Sequence, residues 1–514
     1  MADTDRGKRV IKNIMTLLVY QIVTVICGFI APALIIRSYG SAANGLINTI
    51  TQYLAYVVLL ESGFGPVVKA ALYRPIAKKS KEEIEKILKA AEKFFRIIAL
   101  IFVAYVAVLV AVLPASFLED FDWLYTASLI VIIAMATFAE YFFGMTYRLF
   151  LQAEQRTYVP MLIKTFATIL STVLIVVLIN MNFSIQIVKL ASTVAFALVP
   201  VVQNLYVKRK YNFRHDKTIP KYEIKQKWDG LAQHIAATIH DNTDIIVLSI
   251  FVGVKEVSVY AVYMLVLKGI KNIIRAVNTG VEASFGDMMA HKEKDNLREK
   301  FSAYETTFMA IVTIVYACAI ALIIPFVEVY TRGVDDVNYI RPLFAVLIVT
   351  AEFIWALRLP YASLAHTAGH FKETKPGAWL EAIINVAVSL TLVVVFDMGM
   401  VGVAIGTLAA MFVRMIDFML HSSRFVLERP LGDGLKRILT AAVITVAICL
   451  IANLIPITKM TNYGDWILRA LIILAVSVVI TVPVVLVIYR KDIKVLSTMA
   501  KKVLKVERRK REKR

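Results

Sequence analysis

Fourteen stretches of this chain stay apolar for longer than the roughly 17 residues that a helix needs to cross a bilayer. They run at about 13–36, 43–72, 94–113, 124–147, 158–180, 186–207, 231–252, 257–283, 301–325, 342–367, 379–396, 401–420, 438–455 and 467–489. No other feature constrains the fold so strongly, because a backbone in hydrocarbon must satisfy its own N–H and C=O groups. The run at 97–113 does not alternate apolar and polar residues, so strands of a membrane barrel are excluded. Hydrophobic residues make up 59% of the 514 and charged ones only 19%. That leaves too little polar skin for a water-soluble enzyme fold. Ala31-Pro32-Ala33 mimics a cleavage site, but the apolar run around it is too long for a signal peptide, so the first span is expected to be an uncleaved membrane helix.

An even number of spans places both termini on one side. The N-terminal tail and every second connection (1–12, 73–93, 148–157, 208–228, 286–300, 368–378, 421–437 and 490–514) hold 43 Lys and Arg. The opposite connections hold five: Arg37, Lys255, Arg332, Arg341 and Lys459. Basic residues collect on the cytoplasmic side, so both termini are expected there. The net charge of +20 is then a topology signal with an attraction to anionic lipid, strongest at the basic tail, and not a nucleic-acid footprint. Cys27, Cys318 and Cys449 each sit in an apolar run and provide neither a disulfide framework nor a zinc site.

Shifting the chain by 213 residues lays Gly40 on Gly253 and the stretch 79–84 on 292–297. The same shift carries the span starts near 94, 124, 158 and 186 to about 307, 337, 371 and 399. Six helices thus map onto six in the same orientation, as in a parallel repeat about an axis along the membrane normal. The expected fold is an all-α polytopic membrane protein with 14 transmembrane helices: two pseudo-symmetric six-helix lobes plus two C-terminal helices. Its parts are an N-lobe at 1–207, a basic cytoplasmic linker at 208–230, a C-lobe at 231–420, the added helices at 421–489 and the tail at 490–514.

Ionisable residues inside spans cost about 2.5 kcal/mol or more each at the bilayer centre, so they face water or a partner. Lys268, Lys271 and Arg275 follow i, i+3, i+7 spacing on span 8 and share one helical face. Both lysines lie within roughly 3 Å of the midplane. Two readings stand side by side: the stripe binds an anion, or Asp241 and Asp244 on span 7 neutralise it. The two also combine, with aspartates holding the cations until an anion arrives. Asp241 or Asp244 is further a candidate for coupling to H⁺ or Na⁺, as is Glu61 on span 2, which otherwise compensates charge. With His234 and His240 these aspartates spread over more than half of one helix, so no metal site is expected. No catalytic residue or cofactor is expected either.

Lys69 and Glu282 occupy equivalent positions under the 213-residue shift and form a candidate cytoplasmic gate, with snorkelling of Lys69 to the headgroups as the alternative. Glu140, Lys164, Lys189, Glu352, Glu381 and Arg469 are further charges within spans. Arg414 and Asp417, at i, i+3, are expected to satisfy each other. Arg358 joins the anion-binding set because it lies near mid-span and keeps its charge.

Short motifs carry a family resemblance. They are Ile35-Ile36-Arg37-Ser38-Tyr39-Gly40 with Gly45-Leu46, Gly63-Phe64-Gly65, and Thr243-Asp244-Ile245-Ile246-Val247-Leu248-Ser249. Val257-Ser258-Val259-Tyr260 and Glu282-Ala283-Ser284-Phe285-Gly286 extend them. With the doubled plan, they make the chain resemble the multidrug/oligosaccharidyl-lipid/polysaccharide flippase superfamily, and within it the Wzx-type polysaccharide-repeat flippases of Gram-positive bacteria. The resemblance implies alternating access in the bacterial cytoplasmic membrane, carrying undecaprenyl-diphosphate-linked oligosaccharide from the inner to the outer leaflet. It also implies a cationic cavity for the diphosphate, for which Lys268, Lys271, Arg275 and Arg358 are the candidates, and other polysaccharide-assembly proteins as partners of the tail. Lipid II flippases share fourteen helices, but the first span here carries no charge. Drug/cation antiporters of the superfamily usually have twelve helices and acidic cavities. A membrane glycan polymerase or glycosyltransferase is the rival from another class. The longest outer connection, about 326–341, is too short to fold by itself, and no phosphate-cradling Gly-rich loop lies between a strand and a helix.

Overall fold

A computed structural model of the chain describes residues 2–61, 64–211, 242–291, 293–455 and 462–498. These residues are almost entirely helical and include no strand. Twelve of the helices are long and apolar enough to cross a membrane: this is an all-α, multi-pass membrane protein. The two further expected spans are broken or only part-described. The one at 43–72 is divided among the end of α1 (Ala2–Ala55), α2 (Val58–Glu61) and α3 (Phe64–Lys78). Of 231–252, only α9 (Asn242–Phe251) is described. Asp241, His234, His240, most of the 208–230 linker and the tail beyond 498 lie outside the described residues.

By compactness the chain separates into residues 1–261 with 333–337, and residues 262–332 with 338–514. In the first unit, α1 bends sharply at Gly40, whose φ of 84° suits a residue without Cβ. The helix restarts at Ser41, and Asp336 caps the new end. Its Oδ2 accepts the Ser41 N–H at 2.7 Å and its Oδ1 the Ser41 hydroxyl at 2.6 Å, a carboxylate where a helix N-terminus attracts negative charge. One turn on, Gly45 lies against the first turn of α10 (Val254–Ala290), where Asn44 donates to the Ser258 hydroxyl at 2.8 Å. The unit's main core joins α3, α4 (Lys81–Val112) and α6 (Met145–Ala153) through Phe64, Phe95, Phe102, Leu149 and Phe150. Beside it α7 (Tyr158–Asn180) and α8 (Ile185–Tyr211) pair, with Ser171 and Ser192 hydrogen-bonded at 2.7 Å.

The second unit contains α11 (Lys294–Tyr330), α12 (Pro342–Thr367), α13 (Phe371–Leu390), α14 (Gly399–His421), α15 (Leu431–Leu454) and α16 (Tyr463–Ile488). Gly402 and Gly406, one turn apart, let α14 lie close on the end of α13, as small residues do in membrane helix pairs. A Cβ at Gly406 would stand 2.1 Å from Ser389 Oγ. The helices α15 and α16 pack on α11 through Ala317, Leu322, Ile444, Ile448, Ala452 and Ile473. The start of α15 and the stretch that follows α16 are tied down by ions. Glu305, wholly buried, accepts from Arg429 at 2.7 and 2.9 Å and lies 3.6 Å from Arg437, which reaches Asp492 at 2.8 Å.

The 213-residue offset reappears in where the helices begin. The helix α4 begins at Lys81 and α11 at Lys294, α7 at Tyr158 and α13 at Phe371. Gly253, the counterpart of Gly40, is again a left-handed glycine, with φ of 120°.

Candidate functional site

The cations singled out from the sequence lie on α10, an uninterrupted helix through this region, so their i, i+3, i+7 spacing does place them on one face. The fold treats each differently. Lys271 faces α12, where both oxygens of Glu352 stand 2.9 Å from its ammonium group. Glu352 is buried, at 2% exposure. Arg275 is exposed and carries no ion pair among the described residues. Its guanidinium lies over the Trp355 ring, 5.0 Å from the centroid, and the Lys271 ammonium lies over the same ring at 4.6 Å. Such contacts contribute about 0.5–2 kcal/mol each, more as water is excluded. Lys268 is exposed on α10 one turn before.

Further along, the seam between α10 and α12 stays polar. Ser363 donates to Glu282 at 2.6 Å, Asn278 donates to Ser363 at 2.5 Å and to Glu282 at 3.2 Å, and Tyr304 donates to Asn278 at 2.7 Å. Glu282, half-buried, thus accepts the bonds from Ser363 and Asn278 at Oε1 inside its own unit. Lys69 is half-buried on α3 in the other unit. Arg358 is ion-paired with Glu381 at 2.5 Å, and Glu381 also lies 3.3 Å from Arg414, which in turn holds Asp417 at 2.6 Å. Gly377 makes room for this chain of charges: a Cβ there would fall 2.0 Å from Asp417.

In the first unit, Asp244 is buried on α9 and accepts the Tyr260 hydroxyl at 2.9 Å. Glu61 lines a cavity of about 400 Å³ with Glu140, Tyr141, Arg148 and Lys164. Glu140 sits on a π-helical turn, Glu140–Gly144, that interrupts the helical run between α5 (Trp123–Ala139) and α6. Such turns re-aim side chains within membrane helices and recur at functional positions. Arg148 closes on Glu140 at 2.8 Å, leaving Glu61 and Lys164 as the other charges at the wall.

No protein-family model matches this sequence, and no curated protein does. Solved structures match throughout. The lipid II flippase MurJ in an inward closed conformation superposes with a TM-score of 0.68 at 14% identity, covering 93% of this chain and all of that one. An inward-facing multidrug resistance MATE family transporter of the MOP superfamily gives 0.54 at 16% identity over 80% of this chain and 98% of its own. A mutant of the Vibrio cholerae MATE transporter VcmN gives 0.52 at 15% identity, over 83% and 98%. The fold is the one those structures share.

Of the α10–α12 seam, Glu352 is among the charges expected within spans, with no partner assigned to it, and Trp355 escaped the sequence reading. Their signal was present: Glu352, Trp355 and Arg358 are spaced i, i+3, i+6 and so share a face of α12. What periodicity lacks is the register of α12 against α10, which decides that this face meets Lys271 and Arg275.

Proposed function

We propose that this protein is a flippase that moves polyprenyl-diphosphate-linked oligosaccharide from the cytoplasmic to the outer leaflet of a bacterial cytoplasmic membrane by alternating access. The observation that carries this reading is the cationic face of α10. Lys268 and Arg275 are exposed on either side of Lys271, at a depth where cations facing lipid are costly. A diphosphate diester carries two negative charges, and anionic oxygens bind basic side chains most strongly where water is scarce. Arg358, also a candidate anion ligand, is held by Glu381 in this structure. Glu61 and Asp244 are the proposed sites for a coupling ion, H⁺ or Na⁺.

A lipid II flippase is the second reading. The more extensive structural likeness to MurJ, over 93% of the chain at a TM-score of 0.68 against 0.54 for the MATE transporter, supports it ahead of a drug/cation antiporter. Purified protein in proteoliposomes loaded with fluorescent lipid-linked substrate tests both. A lipid-linked oligosaccharide repeat is expected to become accessible to an external quencher at least tenfold faster than in empty liposomes, and the double variant K268A/R275A is expected to lose about nine-tenths of that rate. Transport of lipid II in preference to the oligosaccharide selects the second reading. Chemical change of the lipid, instead of a change of leaflet, would reject both.

A further inference from the structure

We infer that Glu352 is a resident counter-ion of the α10 cations, displaced from Lys271 when a doubly charged headgroup binds, with Trp355 holding both cations in place through the exchange. The inference rests on the flippase reading and names what that site selects.

Lys271 and Arg275 both lie over the Trp355 ring, and the one carboxylate ion-paired there, Glu352, is bound to Lys271. Around the Trp355 ring these side chains therefore carry about one net positive charge, at Arg275, with Lys268 exposed one turn before. A ligand with a single negative charge is satisfied by Arg275 and leaves the buried pair intact. A diphosphate diester seated over Trp355 beside Arg275 gains Lys271 as a second cation at that ring only by taking it from Glu352. Separating a buried pair normally strands the abandoned charge. Here a replacement donor is at hand on α11. The Tyr316 hydroxyl is wholly buried and has no hydrogen-bond partner among the described residues, and the Tyr316 ring packs on Phe353, the neighbour of Glu352 on α12, at 5.9 Å between centroids. A buried hydroxyl without a partner is uncommon and needs a reason. Donating to the Glu352 carboxylate after the exchange supplies one. Trp355, itself 4% exposed, offers a flat rigid face that leaves each cation attracted without holding it in a directional hydrogen bond. The pair Lys271–Glu352 is then a switch between an internal and an external anion, and it makes the site discriminate by charge number.

Equilibrium binding to the full chain in detergent tests this, with two probes: a short-chain prenyl diphosphate-linked N-acetylglucosamine and its prenyl monophosphate-linked counterpart. Glu352→Gln is expected to tighten the diphosphate probe about tenfold, because the internal competitor is gone. In a Lys271→Gln background the same change should give no gain, which a merely structural Glu352 would not predict. Tyr316→Phe should weaken the diphosphate probe severalfold and leave the monophosphate probe unchanged. Elution and thermal unfolding profiles confirm that each variant is folded. Unchanged or weaker diphosphate binding in folded Glu352→Gln, a gain that persists without Lys271, or no binding of either probe to any variant overturns the inference. Binding as expected with no translocation in liposomes would instead reject the flippase reading and leave the exchange standing.

Discussion

Glu305 shows what a single residue contributes here. Its carboxylate has no exposure, is gripped at both oxygens by Arg429, and lies near Arg437 and the Tyr361 hydroxyl. The cluster joins α11 to the connection before α15 and to the helical stretch at 490–498. Removing one member leaves guanidinium groups buried with less negative charge than they need, a change that costs about 3–5 kcal/mol. Glu305→Gln is therefore expected to lower the unfolding temperature in detergent, and pairing it with Arg429→Gln should recover part of the loss. Equal melting of Glu305→Gln and the parent would mean that this cluster does not hold α15 and α16. By contrast, Arg414 and Asp417 are neighbours on one helix, so their pairing at 2.6 Å was legible from spacing alone.

At the scale of elements, the close approach of α1 to the first turn of α10 depends on Gly45. A Cβ there would lie 1.7 Å from the Val254 carbonyl oxygen, and backbone cannot yield as a flexible side chain does. Gly45→Val is expected to cost about 1–3 kcal/mol by overpacking and to force the helices apart at Asn44 and Ser258. Cysteines introduced as N44C and S258C report on this. They should form a disulfide in the parent and fail to form it in Gly45→Val. Efficient crosslinking in both would show that the crossing tolerates a larger residue. The bend at Gly40 and its counterpart at Gly253 were marked in the sequence by the 213-residue shift, because a left-handed turn needs glycine wherever it recurs. The capping of Ser41 by Asp336 had no such mark. The two residues stand 295 apart, and no local pattern relates them.

For the molecule as a whole, the distribution of basic residues makes a prediction that needs no coordinates. Green fluorescent protein fused after residue 514 should fluoresce. Alkaline phosphatase should be active when fused after Asn182 and inactive after Gln155. The reverse pattern would invert the orientation, and with it the direction of transport proposed above.

Helix class, approximate span positions and the repeat length came from the sequence by itself. A bilayer forces every spanning segment to be long, apolar and internally hydrogen-bonded, and that requirement is written locally. The partners of the charges inside those spans were decided only by the tertiary structure. That Lys271 meets Glu352 and shares Trp355 with Arg275, or that Glu305 draws in Arg429, depends on the register and crossing of helices far apart in the chain. Periodicity tells which face of a helix a residue occupies, and says nothing of which other face it will meet.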